Sequence, residues 1–160
     1  MPADLRSYSE AIDILYQETI FNIRSQFTIH SLHATTLPHR FASIRSLHFE
    51  KILIPGLEYD AFTLRGIRGW AKACDAIRMI RDLRSLRVSF SRTVFEPDES
   101  SVATYLQPLM AFKTPDFVVH FNWPVHETLD HILGKATGTP PFEIEVSESR
   151  ALYRSQLQNY

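Results

Sequence analysis

Seven histidines and one cysteine are the residues best suited to chemistry. His30 and His33 stand three apart, a spacing that puts both on one helical face. His126 and His131 bracket Glu127 and Asp130. A zinc ion wants three or four converging ligands, usually His and Cys. Cys74 is alone on an apolar helical stripe, so no compact ligand set forms, and no metal or cofactor is expected. An exposed Cys74 beside Asp75 in an arginine-rich helix would be an activated thiol. Its phase with Trp70 and Ile77 places it on the packed face instead, as a small hydrophobe. No Gly-x-Ser-x-Gly nucleophile turn is present. Gly134-Lys135-Ala136-Thr137-Gly138 suggests a phosphate loop, but Leu129 occupies the first glycine position and Ala136 the Ser/Thr position. Five glycines leave no room for a dinucleotide fingerprint. No catalytic residue is assigned and no enzyme is expected.

The arginines carry the stronger signal. Between residues 65 and 92 lie Arg65, Arg68, Lys72, Arg78, Arg81, Arg84, Arg87 and Arg92, opposed only by Asp75 and Asp82. Arginine suits bidentate contacts to carboxylate or phosphate. The segment is a candidate surface for an acidic partner or nucleic acid. No recognised nucleic-acid motif accompanies it, and the whole chain has a net charge of −1, so nucleic acid is the second reading.

Such residues need a scaffold, and the hydropathy pattern supplies one. Ser7 and Glu10 have capping-box spacing, so a helix is expected from there. A short strand follows over residues 19–23. Residues 44–49 form a second strand candidate. Trp70, Ala73, Cys74, Ile77 and Ile80 fall on one helical stripe. Leu86, Val88 and Phe90 then alternate with Arg87 and Ser89, the period of a strand. After a polar break come a helix with Val102, Tyr105, Leu106, Leu109 and Met110 inward, and a strand over residues 116–123. Pro108 kinks that helix or starts a new first turn. A short helix is expected over residues 126–133, a turn-rich connection over 134–141, a last strand over 142–146 and a tail or helix over 147–160.

Ile44-Arg45-Ser46-Leu47-His48-Phe49 is echoed 39 residues later by Leu83-Arg84-Ser85-Leu86-Arg87-Val88. Alternating helices and strands favour a mostly parallel sheet with right-handed crossovers. The strands are amphipathic rather than solidly apolar, which implies one bare face. The expected fold is therefore α/β, helix–strand repeats with helices on one face. It is either irregular and leucine-rich-repeat-like or a two-layer α/β sandwich. Outward positions would include Arg45, His48, Arg84, Arg87, His120 and Asn122, with Glu143 and Glu145 beyond them. The first six are the candidate partner-binding residues, on a surface grading from basic to acidic.

At 160 residues the chain suits one domain, with a family-like core over 5–146. One thiol makes no internal disulfide. No secretory signal or membrane-length apolar run is visible. An intracellular protein of the cytoplasm or nucleus is expected.

Arg6-Ser7-Tyr8-Ser9-Glu10-Ala11-Ile12-Asp13-Ile14-Leu15-Tyr16, followed by Thr19-Ile20-Phe21-Asn22-Ile23, resembles the opening of a large fungal domain family of unknown function. Leu37-Pro38-His39-Arg40 through Ile44-Arg45-Ser46-Leu47 resembles its next landmark. Leu106-Gln107-Pro108-Leu109 and the stretch from Phe117 to Trp123-Pro124 resemble its closing pieces. The resemblance implies no known activity, cofactor or catalytic residue, and the residues themselves favour a non-enzymatic protein-interaction module. Members often carry an F-box-like segment upstream. This chain is expected to lack it, so no docking to a ubiquitin-ligase adaptor through that segment is implied. An uncovered first layer is then expected, and with it a homodimer. The partner expected overall is a protein.

Overall fold

The computed structural model describes residues 3–53, 66–92, 99–125 and 139–147, with side chains from Glu10 onward. The elements run α1 (Ala3–Glu18), β1 (Ile20–Ile23), α2 (Gln26–Thr35), α3 (Pro38–Ala42), β2 (Ser46–Leu53), α4 (Ile67–Arg78), β3 (Ser85–Arg92), α5 (Glu99–Leu106), β4 (Asp116–Phe121) and β5 (Glu143–Val146). A 3-10 turn, Gln107–Ala111, continues α5, and Pro108 sits in its first turn. The chain there starts a new turn rather than kinking a long helix. The expected helix at residues 126–133, most of the turn-rich connection expected over 134–141 and nearly all of the C-terminal tail lie outside the described residues.

Local chemistry explains most boundaries. Ser25 caps α2, its hydroxyl accepting from the Phe27 N–H at 3.2 Å. Pro38 opens α3, where its missing N–H costs nothing. The first helix starts at Ala3, four positions before the Ser7 expected to cap it. Ser7 therefore lies inside the helix, where the Ser-x-x-Glu spacing has no capping role.

All five strands are parallel and lie in the order β1-β2-β3-β4-β5. Each crossover shifts the chain by one strand in the same direction. Crossovers of one hand then return every helix across the same face. The 39-residue echo is the pairing register itself: Ser46 lies beside Ser85 and Leu47 beside Leu86. The turns before the strands extend the pairing. Arg84 and Ser85 donate their N–H groups to the Arg45 carbonyl at 2.8 and 3.0 Å, and Asp116 donates to the Arg84 carbonyl at 3.0 Å.

The alternation sorts the side chains. Leu47, Phe49 and Leu53, Leu86, Val88 and Phe90, and Phe117, Val119 and Phe121 face the helices and are buried. Ile29 of α2, Phe41 of α3, Ile77 of α4 and Leu106 of α5 join them in one continuous core. Trp70 is its centre. It has no exposed surface, meets Phe49 and Phe90 edge to face at 5.1 and 5.9 Å, and donates its indole N–H to the Tyr105 carbonyl at 2.8 Å. One side chain thereby joins α4 to two strands and to α5. Buried Gln26 ties α2 to the start of α4 through the Gly66 carbonyl. Cys74 is fully buried on the same stripe, and burial pushes its thiol far above the usual range. No helix among the described residues is long and apolar enough to cross a membrane.

Trp70→Ala removes a large buried aromatic together with the indole N–H bond to the Tyr105 carbonyl. It should cost about 3–5 kcal/mol, and Trp70→Phe distinctly less. Urea unfolding of both variants measures this.

Candidate functional site

The face opposite the helices carries the polar positions of the strands. Its rows follow from the register. Asn22, His48, Arg87, Val118 and Glu143 form one row, and Glu50, Ser89, His120 and Glu145 the next. One hydrogen bond joins the two rows diagonally, and a second continues from His120 to Ser147. His48 Nε2 lies 2.8 Å from Ser89 Oγ, and His120 Nε2 lies 2.8 Å from Ser147 Oγ. Ser89 and His120 are register partners, so these four residues make a polar ribbon from β2 to the residue after β5.

A second bridge runs beside it. Arg87 donates from both terminal nitrogens to Glu145, at 2.7 and 3.3 Å. The two residues stand on β3 and β5, two strand spacings or about 9.6 Å apart, so the arginine must cross β4. Val118 lies under that crossing. It points outward, yet only 9% of it is exposed. The hydrogen bonds from Arg87 hold the Glu145 carboxyl below the usual carboxylate range. At the other border Arg24 pairs with Glu50 at 3.1 Å.

Of the six expected partner-binding residues, three are strand positions of this face: His48, Arg87 and His120. Arg45 and Arg84 stand in the turns before β2 and β3, and Arg45 pairs with Glu18 at the end of α1. Positions 45 and 48 differ in parity, so no regular strand could present both on one side. Asn122 follows β4, and its Oδ1 accepts from the Arg92 N–H at 3.1 Å. The basic stretch is divided too. Arg68, Lys72 and Arg78 are exposed on α4, with Arg78 bonded to Asp75. Arg81 and Arg84 lie in turns, Arg87 is on the opposite side of the sheet, and Arg65 is outside the described residues. The surface does not grade smoothly from basic to acidic, because its central arginine is joined to the acidic strand.

Sequence reasoning missed Ser89, Ser147 and Glu50. It also missed Lys51. Period two gave the signal, since Lys51 continues the inward series Leu47, Phe49 and pairs in register with buried Phe90. Its ammonium lies 5.4 Å from the centre of the Tyr105 ring, and burial brings its pKa down to about 8.

A serine hydroxyl at 2.8 Å from an imidazole has nucleophile–base geometry. Acyl transfer also needs donors aimed at the developing oxyanion. The main-chain N–H groups around Ser89 are engaged in the parallel ladder. The face brings together a fork-shaped cation, two imidazoles and two hydroxyls. Among the described residues no group of three His, Cys, Asp or Glu could hold a metal ion.

Two titrations follow. Burial, reinforced by Arg87 and His120 and opposed by Glu50, lowers the His48 pKa below 6.5. The folded state thus resists protonation, and stability present above pH 6.5 should fall as the pH drops below it. His48→Gln should remove that dependence in urea unfolding across pH 5–8. Lys51 works at the other end of the scale. Its lowered pKa makes the fold gain stability as pH rises from about 8 to 10.5, and Lys51→Met should abolish the gain. The Lys51 13Cε resonance should titrate near 8.

The chain belongs to the family described as Domain of unknown function (DUF7730), which matches residues 5–137. No curated protein and no solved structure matches it.

Proposed function

We propose that this DUF7730 chain is a non-enzymatic interaction module whose bare sheet face receives a protein partner. The observation that carries the reading is a five-stranded, wholly parallel sheet with no described helix on one side. Parallel sheets are ordinarily covered on both faces. Solenoids of the leucine-rich-repeat kind are the exception, and they use the bare strand face for binding. This sheet, with helices returning on one side, is an irregular relative of that plan.

The composition of the face supports the reading. Arg87 and the two histidines are partly exposed at its middle. Ile20 and Ile52, 61% and 58% exposed, offer apolar contacts on the β1 and β2 side. Arginine flanked by apolar surface is the usual make-up of a binding hot spot. A buried Cys74 thiol suits a reducing compartment, so an intracellular setting fits. A second copy of the chain is the other protein occupant, favoured by exposed Ile14 and Leu15 beside the β1 edge. The alternative class, a polyanion held by the arginine-rich segment, would use Arg68, Lys72 and Arg84 on the helix side and the rim.

Affinity capture with the full chain, followed by binding measurements on the captured protein, separates these. Arg87→Glu should weaken capture at pH 7.4 by about tenfold or more, with Arg68→Glu near wild type. Loss with Arg68→Glu instead, together with steep salt-dependent retention on a polyanion column, would replace the protein-docking reading by the polyanion one.

A further inference from the structure

The strand β1 ends the sheet on one side, with β2 as its single described neighbour. An edge strand offers its outer N–H and C=O groups to another chain unless charge, proline or a bulge blocks it. The two edges of this sheet differ in that respect. On β5, Glu143 and Glu145 occupy one side of a four-residue strand, so pairing with a copy of itself sets like charges opposite each other. By contrast β1 reads Ile20-Phe21-Asn22-Ile23, without a charge or a proline. Apolar side chains lie on both sides of it. Ile20 is exposed on the bare face. On the helix side Tyr16 of α1 meets Phe21 at 5.4 Å between ring centres, and Ile14 and Leu15 of the same helix are exposed.

The flanks of β1 make the edge complementary to itself. Glu18 precedes the strand and Arg24 follows it, both exposed and opposite in charge. Two copies related by a two-fold axis pair such an edge antiparallel. Residues opposite each other then point to the same side of the sheet, so the axis passes through a residue and not between two. With Phe21 on the axis, Glu18 of each copy faces Arg24 of the other, Ile20 faces Asn22, and the two Phe21 rings meet. Centred on Asn22, the pairing sets Arg24 against Ile20; centred on Ile20, it sets Arg24 against Tyr16. Charge therefore selects the Phe21 register. We propose that β1 is the seam of a homodimer, in which two copies join their first strands antiparallel about Phe21 into one continuous sheet. Glu18 is already bonded to Arg45 at 3.3 Å and Arg24 to Glu50 at 3.1 Å, so each end of the seam becomes a row of alternating charges. The axis stands perpendicular to the sheet, and both bare faces look the same way. The seam does not rest on the docking reading of those faces; it presents the face twice.

Sedimentation equilibrium of the full chain should give twice the chain mass. Glu18→Arg and Arg24→Glu should each weaken the dimer about tenfold or more, because each sets like charges opposite at both ends of the seam. An equimolar mixture of the two variants should recover the dimer, since opposite charges face again at both ends of the mixed pair. That recovery also proves both variants folded. Cysteine substitutions read the register. Ile20→Cys mixed with Asn22→Cys should cross-link under mild oxidation, and neither should do so alone; Cys74 is buried and stays silent. A single-chain mass up to about 100 μM overturns the dimer. A double mass indifferent to both charge variants overturns the β1 seam. Ile20→Cys that cross-links with itself overturns the Phe21 register. The bare face is tested separately, by capture with Arg87→Glu, because Arg87 stands on β3, two strands from the seam.

Discussion

The order in which the strands are laid down governs this molecule. Each of the five sits beside its predecessor, in register and pointing the same way. A sheet that reverses direction midway distributes its helices over both faces. This one never reverses, so the described helices return over one side. The apolar halves of the strands then meet the helices, and the polar halves line the opposite side. Trp70 depends on that arrangement, because only a one-sided stack brings α4 and α5 over the same pair of strands.

The amphipathic period of two made the architecture legible. Leu86, Val88 and Phe90 against Arg87 and Ser89 revealed both a strand and its orientation, and the echo between Ser46-Leu47 and Ser85-Leu86 is the pairing register. The edges of strands were harder to read. Ile44 and Leu83 are buried like strand residues, but they belong to the turns below the sheet. Counting the strand from them put Arg45 and Arg84 on the wrong level. The family motifs at residues 6–16, 37–47 and 106–124 gave the kinship and no chemistry.

The site was legible one residue at a time and not as a network. His48, Arg87 and His120 stood out by type and phase. Their partners did not, because Arg87 finds Glu145 58 positions away and His48 finds Ser89 41 away. Such pairings need both the register and the reach of a side chain. Serine also gives no warning in a sequence, being common on any exposed strand. Lys51 illustrates the opposite error: phase placed it inward, and its charge argued for the surface. The long stem resolves the conflict by laying the ammonium against the Tyr105 ring.

Sequential strand order also bears on how the protein is made. A ribosome delivers the chain from its N-terminus, and β2 can dock on β1 as soon as both have emerged. Neither β3, β4 nor β5 must be threaded between strands already paired. Every intermediate of this growth presents a naked strand edge to the crowded cell, a known route to misassembly. The last strand among the described residues, β5, is only four residues long and bears Glu143 and Glu145. Its shortness and its two carboxylates make it a poor template for a sixth strand from another nascent chain.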